Sequence, residues 1–268
     1  MAQILALILG ACIGSFLNVV IYRLPAGLSL IHPPSHCPKC KNLLKPWHNV
    51  PIVGWLWLGG RCAYCRTPIP WRYPAVELLT GLLFAFTVGH FPHGSIGVWI
   101  GYGLFLSWLL ALALIDLDTM LLPDPLTKSG LVAGVLFHLV IAYTDKWNPV
   151  LGQTTTAYGS LLFSIGGMVL GIWLVDIVRG VGSWALGVEA MGAGDPRLVA
   201  MMGAWLGWER ILLVIFLGSA IGLLFSALIG LRSKQPFPFG PSLALAGMVS
   251  LWWGADILRI YLHWVGLA

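Results

Sequence analysis

Long apolar segments follow one another along almost the whole chain, and they restrict its fold more than any other feature. Only 9% of its 268 residues are Asp, Glu, Lys or Arg, whereas these four types make up about a quarter of a soluble domain. A helix that crosses a membrane needs about 20 apolar residues. The sequence therefore predicts an all-α, polytopic membrane protein with about eight transmembrane helices. The predicted spans are residues 3–22, 74–91, 96–115, 126–143, 157–178, 198–208, 211–231 and 241–264.

Basic residues are concentrated in one long polar segment, residues 23–73. This segment carries seven Lys or Arg side chains and no Asp or Glu, so the positive-inside rule predicts that it is cytoplasmic. The net charge of +5 suits contact with the anionic headgroups of membrane lipids. The basic residues do not belong to a soluble domain with a platform on which bases could stack, and we therefore expect no nucleic-acid partner.

Two Cys-x-x-Cys pairs lie in the same segment, Cys37 with Cys40 and Cys62 with Cys65. Each pair can direct two thiolates at one ion, and two pairs complete the tetrahedral ligand set of a structural zinc site. A cytoplasmic location keeps thiols reduced, which favours metal binding over disulfides. The alternatives are two disulfides, four thiols that bind nothing, or an iron site with the same spacing. The fifth cysteine, Cys12, is expected to be a small core residue of the first span.

Acidic side chains within apolar segments are functional candidates in a membrane protein, but local pairing accounts for some of them. Asp176 is three residues before Arg179, and Asp256 is three residues before Arg259. Each pair is therefore expected to form a local helical ion pair. Glu77 lies at the start of the second predicted span without an obvious helical partner. We expect it either to anchor the preceding loop or to bind a ligand.

The strongest acidic candidates lie in two motifs. The stretch "IDLDTMLLPDPLT" contains Asp116, Asp118 and Asp124, and the stretch "GAGDPRL" contains Asp195. Asp116 and Asp118 face nearly opposite sides of a helix, and Asp116 and Asp124 are separated by about 12 Å along a helix axis. A partner for Asp116 must therefore come from elsewhere in the chain. The predicted topology places Asp195 at the cytoplasmic end of a later span, on the same membrane face.

The residues around Asp195 indicate how another group could approach it. Gly192 and Gly194 permit close approach of backbone or substrate, and Pro196 suits the first position of a helix, so Asp195 is expected at the N-cap. Two adjacent carboxylates cannot both ionise easily, and one keeps a proton, as in aspartic proteases. One group can then activate water while the other donates a proton.

These motifs resemble those of the type IV prepilin peptidases, a bacterial family of GxGD aspartic peptidases. The resemblance covers nearly the whole chain in the family's order. Besides the cysteine pairs, the matching stretches are "GSFLNVVIYRLP" (14–25), "RYPAVELLTG" (72–81), "IDLDTMLLPDPLT" (115–127), "GAGDPRL" (192–198) and "FGPSLALAG" (239–247). The resemblance implies a multi-pass protein of the bacterial cytoplasmic membrane. Such a protein cleaves prepilin or pseudopilin leaders after a glycine at the cytoplasmic face, then methylates the new amine with S-adenosylmethionine.

The resemblance also implies roles for individual residues. Asp116 and Asp195 fall on the family's two catalytic aspartates, and the four paired cysteines fall on its metal ligands. Residues 1–92 correspond to the region associated with methyl transfer, in which Glu77 is a candidate cofactor-binding residue. Residues 93–268 correspond to the membrane aspartic peptidase domain.

Three alternative functions require different chemistry. A peptidase without methyl transfer would use only the two aspartates, an ion-coupled transporter would place acids near the middle of several spans, and a zinc-organised membrane scaffold would need no buried acid. The acids gather at the predicted cytoplasmic ends of the spans, which favours the peptidase. One departure from the family pattern is Arg197, where Lys is usual; the positive charge is retained.

Overall fold

The computed structural model describes residues 1–144, 147–148, 150, 153–154, 156–187, 191–230 and 238–266. These residues form eight α-helices joined by loops. The helices are α1 (Ala2–Arg23), α2 (Val53–Trp57), α3 (Arg72–His90), α4 (Ile96–Thr119), α5 (Asp124–Thr144), α6 (Ala157–Leu186), α7 (Asp195–Gly230) and α8 (Gly240–Val265). A 3-10 helix spans Pro46–Asn49, and two short antiparallel strands, β1 (Trp147–Asn148) and β2 (Gln153–Thr154), pair with Trp147 opposite Thr154.

Among the described residues, six helices are long and apolar enough to cross a membrane, namely α1 and α4 to α8. This agrees with the multi-pass helical membrane protein that the sequence predicts. The number of such helices differs from the predicted eight for two reasons. Helix α3 occupies the predicted span 74–91 but is not among the six. The predicted spans 198–208 and 211–231 both fall in α7, except for residue 231, which lies outside the described residues. A count of eight stays a prediction.

Helix α7 is interrupted at Gly207, whose φ of 75° and ψ of 175° are not helical. This region of backbone space is essentially restricted to glycine. The interruption separates residues 195–206 from residues 208–230. The first part corresponds to the short apolar segment of the sequence, which is too short to cross a membrane alone. The second part corresponds to the longer apolar segment that follows it.

The first compact unit, Met1–Ser107, is built on the packing of α1 against α3. Glycines bring the two backbones close together. A Cβ atom on Gly14 would lie 2.7 Å from the Cα atom of Glu77, and one on Gly81 would lie 2.8 Å from the carbonyl oxygen of Leu7. Small residues at such contacts are typical of helices that pack in membranes.

The expectation that Cys12 is a core residue is wrong, because this residue is exposed. Helix α1 packs on α3 through Gly10 and Gly14. Successive residues are rotated by about 100° around a helix. Cys12, midway between these two glycines, therefore lies on the opposite side of α1.

The second compact unit, Trp108–Ala268, has the first half of α7 in its core. Helices α5, α6 and α8 pack against α7, and every residue from Leu198 to Leu206 is buried. Helices α6 and α7 make direct backbone contact, because a Cβ atom on either Gly167 or Gly203 would overlap the backbone of the other. The segment that begins at the GxGD motif is thus enclosed by its own unit.

Gly167→Ala is expected to destabilise the protein, whereas Gly180→Ala is not. A methyl group at Gly167 overlaps the backbone of α7, while one at Gly180, also on α6, meets no atom within 4 Å. Overpacking costs about 1–3 kcal/mol, and alanine at an exposed helical glycine gains up to about 1 kcal/mol. Thermal unfolding of both variants in detergent measures this difference. Equal unfolding midpoints would contradict the close contact between α6 and α7.

Candidate functional site

Three acidic side chains are buried in the described part of the chain, namely Glu77, Asp116 and Asp195. Their exposed fractions are 8%, 5% and 6%. For each of them the local sequence offers no helical partner. Burying a carboxyl group costs free energy unless its surroundings compensate, so the contacts of these three residues identify what each one does.

Asp116 lies in the last turn of α4, and its carboxylate is held by the first residue of α8. Oδ2 accepts a hydrogen bond of 2.9 Å from the backbone N–H of Gly240. A Cβ atom at position 240 would lie 2.5 Å from the same oxygen, so this contact requires glycine. Sequence reasoning gave Gly240 no role. The signal that could have found it is a glycine directly before a proline at the start of an apolar segment.

Asp195 is the first residue of α7. The carbonyl oxygen of Gly194 accepts a hydrogen bond of 3.0 Å from the N–H of Leu198, which makes Gly194 the N-cap. The prediction that Asp195 occupies the N-cap is therefore wrong by one residue. Close approach is found at Gly194 itself, where a Cβ atom would lie 2.8 Å from Cβ of Leu122. The GxGD loop thus packs against the loop that follows α4.

Asp116 and Asp195 come from distant parts of the sequence, and the fold brings them within electrostatic reach of each other. Both lie at helix ends in the unit Trp108–Ala268. A pair of this kind can supply one general acid and one general base to the same reaction.

The other acids of the two motifs lie outside this pair. Asp118 is exposed. Asp124 accepts hydrogen bonds from Nη1 of Arg197 and, at 2.9 Å, from Nζ of Lys128. The arginine that departs from the family pattern therefore connects the start of α7 to the start of α5. Ion pairs this exposed contribute little to stability, so its role is one of local geometry.

The two local helical pairs form as predicted. Arg179 and Asp176 are 3.2 Å apart, and Arg259 and Asp256 are 3.8 Å apart, measured between a guanidinium nitrogen and a carboxylate oxygen. All four side chains are well exposed. These acids are satisfied at the surface and take no part in a buried site.

The four sulfur atoms of Cys37, Cys40, Cys62 and Cys65 lie within 4.8 Å of one another. Sγ of Cys37 is 3.8 Å from that of Cys65, and Sγ of Cys40 is 4.0 Å from that of Cys62. Ligands of a tetrahedral metal with bonds of about 2.3 Å are separated by about 3.8 Å. All four are free thiols. The cluster can therefore hold one metal ion.

The two cysteine pairs lie on turns of the same construction. The N–H of Cys37 bonds to the carbonyl oxygen of Asn42 at 3.0 Å, and that of Cys62 bonds to Thr67 at 2.8 Å. The residue after each pair has a positive φ, 59° in the first turn and 57° in the second. Hydrogen bonds with the hydroxyl and backbone of Thr67 lower the pKa of the Cys65 thiol to about 6. They favour the thiolate, which is the form that binds a metal.

Glu77 holds the loop that precedes α3. Its Oε2 accepts a hydrogen bond of 2.6 Å from the N–H of Ile52, and the side chain of Ser15, on α1, also bonds to the carboxyl group. Ile52 has a φ of 62°, a strained value for a β-branched residue. Glu77 thus anchors the loop, which is one of the two roles expected for it. A role in binding a ligand stays a prediction.

Two family models match the chain. The bacterial peptidase A24 N-terminal domain matches residues 8–91, and the type IV leader peptidase family matches residues 103–227. A prepilin leader peptidase/N-methyltransferase from Pseudomonas aeruginosa is 37% identical, over 97% of this chain and 93% of the relative. Proteins of the same name from Aeromonas salmonicida and Neisseria gonorrhoeae are 39% and 33% identical, over 93% and 97% of this chain and 90% and 94% of theirs. No solved structure matches the chain.

We expect the purified protein to carry about one tightly bound metal ion per chain, because four thiolates complete one tetrahedral site. Cys37→Ser combined with Cys40→Ser removes half of the ligands and should lose the metal. Elemental analysis of protein prepared without chelator measures this. Cys12→Ser, outside the cluster, is the control and should keep full metal content. Metal-free wild-type protein would contradict the metal site.

Proposed function

Because the chain belongs to the type IV leader peptidase family, we propose that Asp116 and Asp195 are the two aspartates with which it cleaves its substrates. The resemblance predicted from the motifs is confirmed. The protein is a prepilin leader peptidase that also methylates the amine released by cleavage. The observation that carries the residue assignment is the burial of these two carboxylates in one unit, within electrostatic reach of each other.

In the proposed mechanism the two carboxylates share one proton. The ionised group accepts a proton from a water molecule, and the oxygen of that water attacks the carbonyl carbon of the scissile peptide bond. The protonated group donates to the carbonyl oxygen and then, as the bond breaks, a proton passes to the leaving amine. The two groups titrate as a pair, so neither role belongs to one residue alone. The N–H of Gly240 orients the Asp116 carboxylate throughout.

We propose that cleavage occurs after a glycine, at the cytoplasmic face of the inner membrane, in prepilins or pseudopilins. The basic segment 23–73 supports this orientation. Among the described residues, the buried acids of the second unit lie at helix ends. A transporter that relays protons would instead need acids near the middle of several spans. A scaffold without chemistry would have no use for the pair.

We propose that the metal in the cysteine cluster is zinc and that it is structural. Four thiolates fill a tetrahedral site and leave no position open for water or substrate. The same set also suits iron, but zinc is the commoner occupant of paired Cys-x-x-Cys motifs. Bound there, the metal would join two turns of a segment that has little regular secondary structure of its own.

We propose that the methyl group comes from S-adenosylmethionine and that residues 1–92 form the region where it binds. A cavity of about 380 Å³ lies between α1 and the loop that follows it, lined in part by Ser15, Phe16 and Arg23. The Arg23 guanidinium suits the donor's carboxylate, and the ring of Phe16 offers a face for its adenine. Glu77 supports this cavity through its hydrogen bond with Ser15. Bound there, the donor supplies an electrophilic methyl group.

Asp116→Asn and Asp195→Asn are each expected to lower the rate of prepilin cleavage by at least about a hundredfold, because an amide can neither accept nor donate the proton. Asp118→Asn is the matched control, because Asp118 lies two residues after Asp116 on the same helix but is exposed. This variant should keep substantial activity. Leader removal is measured by mass spectrometry on protein shown to be folded. Full cleavage by the Asp195→Asn protein would exclude this mechanism.

The two activities are expected to separate by mutation if they use separate sites. Glu77→Gln should reduce methylation of an already cleaved pilin more than cleavage of a prepilin, because it weakens the anchor beside the proposed donor cavity. Asp195→Asn should do the reverse, methylating the cleaved pilin and leaving the prepilin intact. Mass spectrometry distinguishes leader loss from one added methyl group. If both variants lose both reactions while folded, one shared active site is the better model.

A further inference from the structure

The segment that carries Asp195 is a short, buried half-helix. Residues 195–206 precede the interruption at Gly207, and every residue from 198 to 206 is buried. A helix of this length measures about 18 Å. Because a hydrogen-bonded helix is stiff, the contacts at the end near Gly207 influence where Asp195 lies at the other end.

Polar side chains from two neighbouring helices bond to the backbone at that end. The last carbonyl groups of a helix lack partners within it. Nε2 of His138, on α5, is 2.8 Å from the carbonyl oxygen of Trp205, and Oγ of Ser164, on α6, donates to that of Ala204 at 2.7 Å. A carbonyl oxygen only accepts, so Nε2 of His138 carries the hydrogen. His138 and Ser164 are 1% and 0% exposed.

The side chain of Trp205 adds a third hydrogen bond at the same place. Its Nε1 donates to the carbonyl oxygen of Gly130, on α5, at 2.8 Å. Its ring stacks on Phe137 with 5.0 Å between centroids. A Cβ atom on Gly134 would lie 2.7 Å from Cδ1 of Trp205, so α5 accommodates this ring because it presents glycine there. The half-helix is thus held to α5 and α6 at its carbonyl end.

The side chains around the interruption leave room only for glycine at position 207. A Cβ atom on Gly207 would overlap the ring of Phe163, which also contacts His138 edge to face. A continuous helix would satisfy the same carbonyls without any polar side chain in the core. The chain instead has a backbone conformation that is essentially restricted to glycine, together with two buried polar partners. Polar groups buried at such depth in a membrane protein are functional candidates.

We propose that His138 and Ser164 are positioning residues for leader cleavage, which hold the half-helix so that Asp195 lies correctly beside Asp116. This inference rests on the proposed role of those two aspartates. Neither His138 nor Ser164 touches a reacting atom in this proposal, and both act through the backbone of residues 204 and 205. A misplacement of about 1 Å in a catalytic group can cost about a hundredfold in rate.

The test compares two replacements of His138 in the full-length protein. His138→Leu removes the donor, whereas His138→Gln keeps an N–H at similar reach. We expect His138→Leu to lower kcat for prepilin cleavage by about ten- to a hundredfold with KM changed less than about twofold, and His138→Gln to restore most of the loss. Methylation of a pre-cleaved pilin and the metal content should stay at wild-type values in both, because they report on the other unit.

Ser164 supplies an independent second test with a matched control. Ser164→Ala removes the bond to Ala204, and we expect a smaller fall in kcat for cleavage, by about three- to tenfold, since one neutral hydrogen bond is lost. Ser107→Ala removes a serine hydroxyl that is also buried but bonds within its own helix, to Gly103 at 2.9 Å. It should leave kcat unchanged. If His138→Leu does not fold, the Ser164→Ala and Ser107→Ala pair decides the question.

The outcomes separate this inference from the proposed function. Normal kcat in His138→Leu, or an equal loss of cleavage, methylation and metal content in His138→Leu protein that is folded, overturns the positioning role. A loss that His138→Gln does not restore also overturns it, because the hydrogen bond would then not be the cause. Wild-type cleavage by Asp195→Asn would instead remove the proposed aspartate pair itself. A fall in kcat confined to cleavage and restored by glutamine supports the inference.

Discussion

Asp116 and Asp195 are buried carboxyl groups within electrostatic reach of each other, so their ionised forms repel each other and lack hydration, and the second unit has to accommodate this constraint. Asp195 is the first residue of α7, and Asp116 lies against the first residue of α8. Both are therefore near a helix N-terminus, where backbone N–H groups lack helical partners. The N–H of Gly240 is one such group, and it bonds directly to Asp116. A carboxylate in the middle of a span would have no backbone donor to accept from. The position of both carboxyl groups near helix N-termini therefore fits the cost of burial.

The same arrangement requires some backbone segments to approach other groups closely, and glycine permits this approach. At Gly240 the backbone must come near a carboxylate oxygen, and at Gly194 it must come near Leu122. Between α6 and α7 the contact at Gly167 and Gly203 brings two helix backbones together. In a membrane there is little hydrophobic driving force between helices, and association depends on such packing. The same residue type thus serves both the site and the fold that surrounds it.

Much of this arrangement follows from patterns that the sequence displays directly. The apolar segments predict the long helices, the cysteine spacing predicts the cluster, and the i,i+3 spacing predicts the pairs at Asp176 and Asp256. The lack of a local partner singles out Asp116 and Asp195. Two features were not predicted from the sequence: the contact of Gly240 with Asp116 and the exposure of Cys12. Each depends on which helix faces which, and a single sequence does not contain that information when the residues involved are small and apolar.

Buried polar side chains tie the two halves of α7 to different helices. The first half is bonded to α5 and α6 through His138 and Ser164. The second half contains Arg210, a buried cation three residues after the interruption, which donates to the carbonyl oxygens of Ser250 and Leu251 on α8 at 3.1 and 3.0 Å. A buried guanidinium is stable only with such partners. The interruption at Gly207 thus separates the hydrogen bonds that hold the first half, which carries Asp195, from those that hold the second half.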